Sequence, residues 1–499
     1  MSKQNRSTFS RRAILAALLA GAGQMALGAP ITQSPLPRPR PADLARRAAP
    51  AAADLIATAN LGGELGYAVA DATTGTLLEV YDATRPMPPA SVAKAVTALY
   101  ALDALGADYR FATRLMATGP IVDGRIEGDL ILVGSGDPSL DTDALADMAA
   151  RLAGLGVREV AGALRVDAGA LPRLHEIDTD QLPHAGYNPA ISGLNLNFNR
   201  VHFEWKRQDG DYALSMQART DRYQPSVRMA AMQIAAREQP LFTYAANGET
   251  EQWSVARNAL GNGGSRWLPV RNPPAYAAEV FATLARGQGI SFQGRAQASG
   301  PMMTEILRQD SAPLAEILAD MLHFSTNLTA EVVGLSASRA RGFAAPTLVS
   351  SAAQMNAWAA GALGAERAAF VDHSGLGHGS RIAAVDMVRL LSHGAVRGAL
   401  LPILKPFDFR DTQGRVDRSL PMQVLAKTGT LDFVSGLAGY IHPPGGRALV
   451  FAIFSGDLPR RASARAAGHE IPPGGREWTR RARTLQQELI KRWAVVYDA

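Results

Sequence analysis

The chain changes its pattern twice along its length, and this order limits the folds that it can adopt. Residues 65–81 indicate a β-hairpin, and the helix that follows ends at about Leu105. Residues 107–300 instead alternate short strands with turns, and helical patterns return from about Ser311. This order predicts one α/β domain that a long insertion interrupts.

The end of the chain is expected to complete the sheet that the hairpin begins. Strand patterns cover residues 422–426, 437–442 and 448–454, and a basic helix at about residues 477–493 is suited to packing on a sheet. With two strands in front and three behind, both ends of the chain are expected to close a single sheet.

Two local predictions concern the middle of the chain. Ser192 to Trp205 alternates apolar and polar residues, which predicts a long strand. Ser311 is predicted to cap a helix over Leu314–Leu322, with Pro313 in its first turn.

The first 29 residues resemble an export signal. Arg11 and Arg12 precede a short apolar run, and Ala26-Leu27-Gly28 follows as a cleavage site with small residues on either side of the leucine. The run is too short to span a bilayer, and the paired arginines favour the Tat route to the periplasm over a Sec signal or an uncleaved anchor. Residues 30–50 are rich in proline and predict a stiff, extended linker.

Composition excludes several classes of function. The chain has no cysteine, so disulfides and cysteine-ligated metal sites are excluded. Its net charge of +6 comes from residues 1–47, which carry eight Lys or Arg and one acid, whereas the rest carries 43 basic and 44 acidic side chains. A nucleic-acid partner is therefore not expected, and no later stretch is apolar enough for a membrane span.

Three short motifs carry the expected chemistry, and each of them occurs once. They are Ser91-x-x-Lys94 at a helix start, Ser325-x-Asn327 between helices and Lys427-Thr428-Gly429-Thr430 in a strand. Residues i and i+3 share a helix face, so the Ser91 hydroxyl and the Lys94 amine can meet. A serine needs an adjacent base to act as a nucleophile, and a lysine of lowered pKa can serve as that base.

The trio resembles the penicillin-recognising serine enzymes, namely penicillin-binding proteins and serine β-lactamases. The 234 residues from Ser91 to Ser325 are similar to the large insertion of the D-alanyl-D-alanine carboxypeptidase/endopeptidase family, the class C low-molecular-mass penicillin-binding proteins. Residues 128–138, 187–199, 372–376 and 437–440 also resemble that family.

The resemblance implies an architecture. A transpeptidase-like domain, an antiparallel sheet with helices on both sides, is expected over residues 51–106 and 301–499. The insertion over residues 107–300 is expected to form two smaller α+β or β-rich domains. Their expected bounds are about 107–170 with 265–300, and about 171–264.

The resemblance also implies roles. Ser91 would form an acyl-enzyme with a peptidoglycan peptide ending in D-Ala-D-Ala, and with β-lactams as covalent inhibitors. Lys94 would be the base, kept partly neutral by Lys427, although the base is disputed in this superfamily. Ser325 would relay a proton to the leaving amine, and Asn327 would contact the substrate and Lys94. Lys427, Thr428 and Thr430 would bind the terminal carboxylate of the substrate. The backbone N–H groups of Ser91 and Thr430 would form the oxyanion hole. No cofactor is expected. No metal site is expected either, and His373 and His378 are not expected to form one.

Two other readings stay open. One is a β-lactamase or esterase on the same fold. In a class A β-lactamase, the glutamate that drives deacylation is followed by an asparagine four residues later. Neither Glu331 nor Glu366 has an asparagine at that position, which disfavours fast hydrolysis of β-lactams. The other is a non-catalytic periplasmic protein that binds or scaffolds peptidoglycan, against which the intact trio argues. The sequence does not separate carboxypeptidase, endopeptidase and transpeptidase activity, and it gives no oligomeric state.

Overall fold

The structure is a computed structural model, and it describes residues 44–248, 250–294, 303–411, 413–468 and 470–498. The chain divides into two compact units, residues 1–49 and residues 50–499. In the first unit Leu44–Ala48 is helical, which corrects the expected extended linker at its end. No proline follows Pro41 until Pro50, and alanine, leucine and arginine favour a helix. The predicted signal peptide lies outside the described residues.

Twelve helices lie in the described residues. They are α1 (Leu44–Ala48), α2 (Ala52–Ala59), α3 (Ala93–Leu105), α4 (Thr142–Gly154), α5 (Pro273–Gly287), α6 (Leu314–Phe324), α7 (Asn327–Ala340), α8 (Leu348–Leu363), α9 (Ala384–Ser392), α10 (Gly394–Leu400), α11 (Leu458–Ala466) and α12 (Gly475–Val496). No helix among the described residues combines the length and the apolar character that crossing a membrane requires.

The same residues form 21 strands. They are β1 (Glu64–Asp71), β2 (Leu77–Tyr81), β3 (Pro86–Met87), β4 (Ala112–Ala117), β5 (Ile121–Val122), β6 (Arg125–Ile126), β7 (Leu130–Gly134), β8 (Glu159–Val160), β9 (Leu164–Asp167), β10 (Arg200–Gln208), β11 (Asp211–Gln217), β12 (Ala230–Ala235), β13 (Phe242–Asn247), β14 (Thr250–Ala256), β15 (Gly263–Pro269), β16 (Ser291–Phe292), β17 (Thr304–Asp310), β18 (Ile382–Ala383), β19 (Gln423–Leu431), β20 (Val434–His442) and β21 (Leu449–Gly456).

Both ends of the chain build the main sheet, as predicted. Its strand order is β19-β20-β21-β1-β2, and every neighbouring pair is antiparallel. The predicted hairpin forms because the Asp71 carboxylate accepts hydrogen bonds from the backbone N–H groups of Thr73 and Thr74, each at 2.9 Å. Those bonds fix the turn between β1 and β2.

Alternate side chains of this sheet face two helical layers, since successive residues of a strand point to opposite faces. Ala68 and Ala70 of β1 join a buried core with α3, α7, α8 and α9. Tyr67 and Val69 join another core with α12, where the Tyr67 and Trp493 rings lie 5.4 Å apart. The expected α/β class, an antiparallel sheet with helices on both sides, is confirmed.

The inserted part of the chain forms four smaller sheets. Their strand orders are β17-β4-β7-β9, β16-β8-β6-β5, β11-β10-β15 and β12-β14-β13. Two expected boundaries are wrong. Residues 304–310, which are expected in the peptidase domain, pair with β4. Residues 265–269, which are expected with residues 107–170, belong to β15, which pairs with β10. The four sheets and helices α4 and α5 share one continuous buried core.

Two local predictions are also wrong. Residues 192–199 are not a strand, because Asn197, Phe198 and Asn199 all have φ between 50° and 56°, and β10 begins only at Arg200. Buried side-chain amides stabilise this left-handed backbone: the Asn199 amide donates to the Ala190 carbonyl at 2.8 Å. Ser311 caps no helix, since its hydroxyl accepts from the Phe111 N–H at 3.0 Å and α6 begins after Pro313.

Candidate active site

Ser91 lies in a short 3₁₀ turn, Ala90–Val92, that leads directly into α3. Ala90 has a left-handed backbone with φ of 47°, which turns the chain sharply just before the hydroxyl. Lys94 lies one turn further along, and its Nζ is 2.9 Å from Ser91 Oγ. The predicted meeting of the hydroxyl and the amine is therefore present.

The Lys94 amine is fully buried and has three polar neighbours. Nζ lies 2.7 Å from Asn327 Oδ1 and 2.8 Å from the Ser374 carbonyl oxygen, in addition to Ser91 Oγ. Burial lowers the pKa of Lys94 to about 8, although the carboxylates of Glu331 and Asp372 act to raise it. Burial, rather than the Lys427 charge that we expected, is thus the main reason why this amine can become neutral.

Ser325 and Asn327 come from the junction of two helices. Ser325 ends α6 in the left-handed conformation, with φ of 62°, and Asn327 opens α7. The junction places both side chains at the same cavity as Ser91. The Asn327 amide donates from Nδ2 to the Tyr187 carbonyl at 2.9 Å, which fixes its Oδ1 toward Lys94.

Lys427 is carried by the edge strand β19 and is 2% exposed. Its Nζ donates to Ser325 Oγ at 3.0 Å and to the Thr428 carbonyl at 2.7 Å. Burial, and then the positive charges of Lys94 and Lys405, lower the pKa of Lys427 well below its usual range. Lys427 of the third motif is therefore hydrogen-bonded to Ser325 of the second motif. In the same way, Lys94 of the first motif is hydrogen-bonded to Asn327 of the second.

The strand β19 runs close beside the serine turn because position 429 is glycine. A Cβ at Gly429 would lie 2.5 Å from the Pro89 carbonyl oxygen and 3.0 Å from the Ser91 nitrogen. Any larger residue would push the strand away from the turn. Thr428 is half-buried, and Thr430, which is exposed further along the same strand, lines the cavity together with Ser91.

Sequence reasoning missed the role of two buried carboxylates behind the site. The Glu331 oxygens accept hydrogen bonds from the backbone N–H groups of His373 and Ser374, each at 2.9 Å. Asp372 accepts from the N–H groups of Gly375 and Gly377. Burial raises the pKa of both groups, and the nearby charge of Asp372 raises the pKa of Glu331 further. These bonds fix the loop whose Ser374 carbonyl contacts Lys94.

The two histidines have separate environments. His373 is buried, its Nε2 lies 2.8 Å from Ser351 Oγ, and burial lowers its pKa to about 3. His378 is exposed and pairs with Asp180 at 3.0 Å. Asp178, Asp180 and His378 place ligand atoms within 4.8 Å of one another, but Asp180 is already paired with Arg465 as well.

A cavity of about 1250 Å³ opens onto the site. Ser91, Ser325, Asn327 and Thr430 lie on one side of it. The insertion contributes residues 180–182 and 184–187, and the C-terminal part of the chain contributes α12. The space can hold a peptide, with a nucleophile, a buried amine and a second cation along one wall.

Comparison with known proteins gives a consistent result. The model of the D-Ala-D-Ala carboxypeptidase 3 (S13) family matches residues 49–472. The chain is 29% identical over 471 residues to a D-alanyl-D-alanine carboxypeptidase from an Actinomadura species, covering 83% of this chain and 84% of the relative. It is 25% identical to the D-alanyl-D-alanine carboxypeptidase DacB of Haemophilus influenzae, covering 80% and 87%.

A solved structure resembles the fold. The crystal structure of penicillin binding protein 4 (dacB) from Haemophilus influenzae superposes with a TM-score of 0.68 at 20% identity. The match covers 88% of this chain and 99% of that chain. Likeness at this level establishes a common fold, including the inserted part.

Proposed function

The chain belongs to the D-Ala-D-Ala carboxypeptidase 3 (S13) family and is a serine D-Ala-D-Ala carboxypeptidase, and we propose that it works through an acyl-enzyme on Ser91. The substrates are peptidoglycan stem peptides that end in D-Ala-D-Ala, and β-lactams acylate the same serine. The observation that carries the proposal is the position of the Lys94 amine between one serine hydroxyl and two fixed acceptors.

The hydrogen-bond pattern supports Lys94 as the base. A neutral amine has two hydrogens and one lone pair. Asn327 Oδ1 and the Ser374 carbonyl can only accept, so they take the two hydrogens and leave the lone pair toward the Ser91 hydroxyl. With a pKa of about 8, roughly one Lys94 in ten is neutral at pH 7.

Acylation then proceeds in balanced steps. Ser91 Oγ bonds to the carbonyl carbon of the penultimate D-Ala while its proton passes to Lys94 Nζ. The N–H groups of Ser91 and Thr430 are the proposed oxyanion hole. When the C–N bond breaks, the proton that Lys94 took passes through the Ser325 hydroxyl, which Lys427 holds, to the leaving nitrogen, and Lys94 is neutral again. Water later attacks the ester and releases the peptide acid and free Ser91.

Lys427, Thr428 and Thr430 are the proposed site for the carboxylate of the leaving residue. They lie in sequence along β19, beside the Ser91 turn. A buried lysine ammonium and two hydroxyls are suitable partners for a carboxylate, because hydrogen bonds to a charged group are stronger than neutral ones. The carboxylate also favours the charged form of Lys427 when it binds, since opposite charges nearby raise the pKa of an amine.

Mass spectrometry of the intact protein tests the proposal. Incubation with a penicillin is expected to add one penicillin mass to Ser91, and Ser91→Ala is expected to add none. Lys94→Arg should lose both the adduct and the release of D-Ala, because arginine cannot accept the proton. Lys206→Arg, on an exposed strand end, is the matched control. An adduct that survives Ser91→Ala would falsify the assignment.

We also infer export to the periplasm by the Tat route. The support is the paired Arg11 and Arg12 ahead of a short apolar run. Replacing both arginines by lysine should leave the precursor in the cytoplasm, whereas a Sec signal would still be processed. Fractionation of the cells and immunoblotting would distinguish the two routes.

A further inference from the structure

One wall of the catalytic cavity carries three arginines of α12. Arg476, Arg480 and Arg483 lie at i, i+4 and i+7 of α12, so they form one stripe along the helix. All three are exposed, and all three line the cavity. In the part of the chain that the structure describes, none of them forms an ion pair. We call these three residues the arginine wall.

The rest of the cavity does not neutralise this wall. Among the described residues, eight arginines and four carboxylates line the cavity. Three of those carboxylates already have arginine partners. The pairs are Asp180 with Arg465, Asp411 with Arg415 and Glu470 with Arg266. A surplus of positive charge therefore lies along α12, and it favours a ligand with several negative charges.

The wall begins at the leaving-group end of the active site. Arg483 Nη2 donates to Thr430 Oγ1 at 3.2 Å, and Thr430 is one of the proposed carboxylate-binding groups. From Arg483 to Arg476 the helix rises about 10 Å. That length matches about three residues of extended peptide. The wall therefore runs outward from the place where the leaving residue is expected to lie.

We propose that the arginine wall binds the carboxylates of a long, acidic leaving peptide, so that the enzyme prefers cross-linked stem peptides to free D-Ala-D-Ala ends. The inference rests on the proposed acyl-enzyme function and concerns its leaving group. In the carboxypeptidase reaction the leaving amine is D-alanine, which ends at Thr430. In the endopeptidase reaction the same C–N bond breaks, but the protonated amine belongs to a second stem peptide that extends along α12.

The double variant Arg476→Gln/Arg480→Gln tests this preference without touching Thr430. Its kcat/KM should fall about five- to tenfold on a cross-linked stem-peptide dimer, since exposed charge pairs each contribute a few-fold to binding. On the monomeric peptide ending in D-Ala-D-Ala, kcat/KM should change less than twofold. With the wild-type enzyme, a dimer whose leaving peptide has amidated carboxylates should be cleaved with no higher kcat/KM than the monomer. Added salt should lower kcat/KM only for the acidic dimer.

The matched control is Arg207→Gln/Arg418→Gln, which removes two exposed arginines outside the cavity and should cleave both substrates at wild-type rates. Equal losses on dimer and monomer, or no loss on the dimer, would overturn the inference. In either case a normal penicillin adduct in the wild type would leave the proposed function standing. Absence of that adduct in the wild type would instead overturn the proposed function, and the inference with it.

Discussion

Asn327 donates a 2.9 Å hydrogen bond from Nδ2 to the carbonyl oxygen of Tyr187, a residue of the insertion that lies 140 positions earlier. Its Oδ1 consequently faces Lys94, 2.7 Å from Nζ. The insertion thus fixes the orientation of an amide in the active site. This contact joins the insertion directly to the second catalytic motif.

Asn327→Asp is expected to slow acylation strongly. A carboxylate cannot donate to the Tyr187 carbonyl, and its negative charge beside Nζ would favour the protonated form of Lys94. A rise of about two units in the pKa of Lys94 would lower its neutral fraction about 100-fold at pH 7. Rapid-quench measurement of labelled penicillin binding gives the acylation rate constant. Asn247→Asp, on an exposed strand end of the insertion, should acylate normally. An unchanged rate in Asn327→Asp would show that this amide does not control Lys94.

The acylation rate should depend on pH through Lys94. Burial lowers the pKa of this amine to about 8, and the proposed mechanism needs its neutral form. The rate constant should therefore rise about tenfold per pH unit between pH 6 and 7 and level off above pH 8. Stopped-flow or quench measurements with a labelled penicillin across pH 6–8.5 would show this rise and the plateau above it. A flat profile over that range is incompatible with Lys94 as the base.

Local sequence pattern predicts the hairpin of the main domain and one contact of the site. The spacing of Ser91 and Lys94 becomes a contact through helix geometry alone. The hairpin over residues 65–81 forms at the predicted turn. The contact between Lys427 and Ser325 follows from no local pattern, and the resemblance to a known family was needed to place them together.

The insertion shows why other features could not be predicted. Alternating polarity at residues 192–199 suggested a strand, but the asparagine amides stabilise a left-handed backbone, which a period of two does not reveal. The pairing of β17 with β4 joins residues almost 200 positions apart. The sequence suggests no role for Glu331 in holding the loop at residues 372–377, because its burial behind that loop depends on tertiary packing.

Glu331→Gln should weaken the positioning of Lys94. Both Glu331 oxygens accept backbone N–H groups from the loop that carries the Ser374 carbonyl. An amide nitrogen cannot accept, so one buried N–H loses its partner at a cost of about 1–3 kcal/mol. We expect a lower midpoint in chemical denaturation and about tenfold slower acylation by penicillin, with a shifted pH profile.

Glu366→Gln is the matched control for that variant, because Glu366 is exposed and is the other glutamate between the second and third motifs. It should retain the acylation rate, the pH profile and the stability of the wild type. If Glu331→Gln lost stability with an unaltered pH profile, its role would be confined to folding. Slower hydrolysis of the penicillin adduct in Glu366→Gln would instead point to a β-lactamase-like deacylation.

Gly375→Ala is expected to distort the 3₁₀ turn that carries Ser91. Gly375 has φ of 74°, a region that favours glycine, and an added Cβ would collide with the Ala90 carbonyl just before Ser91. Since Ala90 is itself left-handed, the turn has little freedom to move away. Acylation by penicillin should fall at least 100-fold, measured as adduct formed over time. Gly361→Ala, where an added Cβ meets no atom within 4 Å inside α8, should acylate normally and gain up to about 1 kcal/mol in unfolding free energy. Normal acylation by Gly375→Ala would mean that the Ala90 turn can shift without harm to the nucleophile.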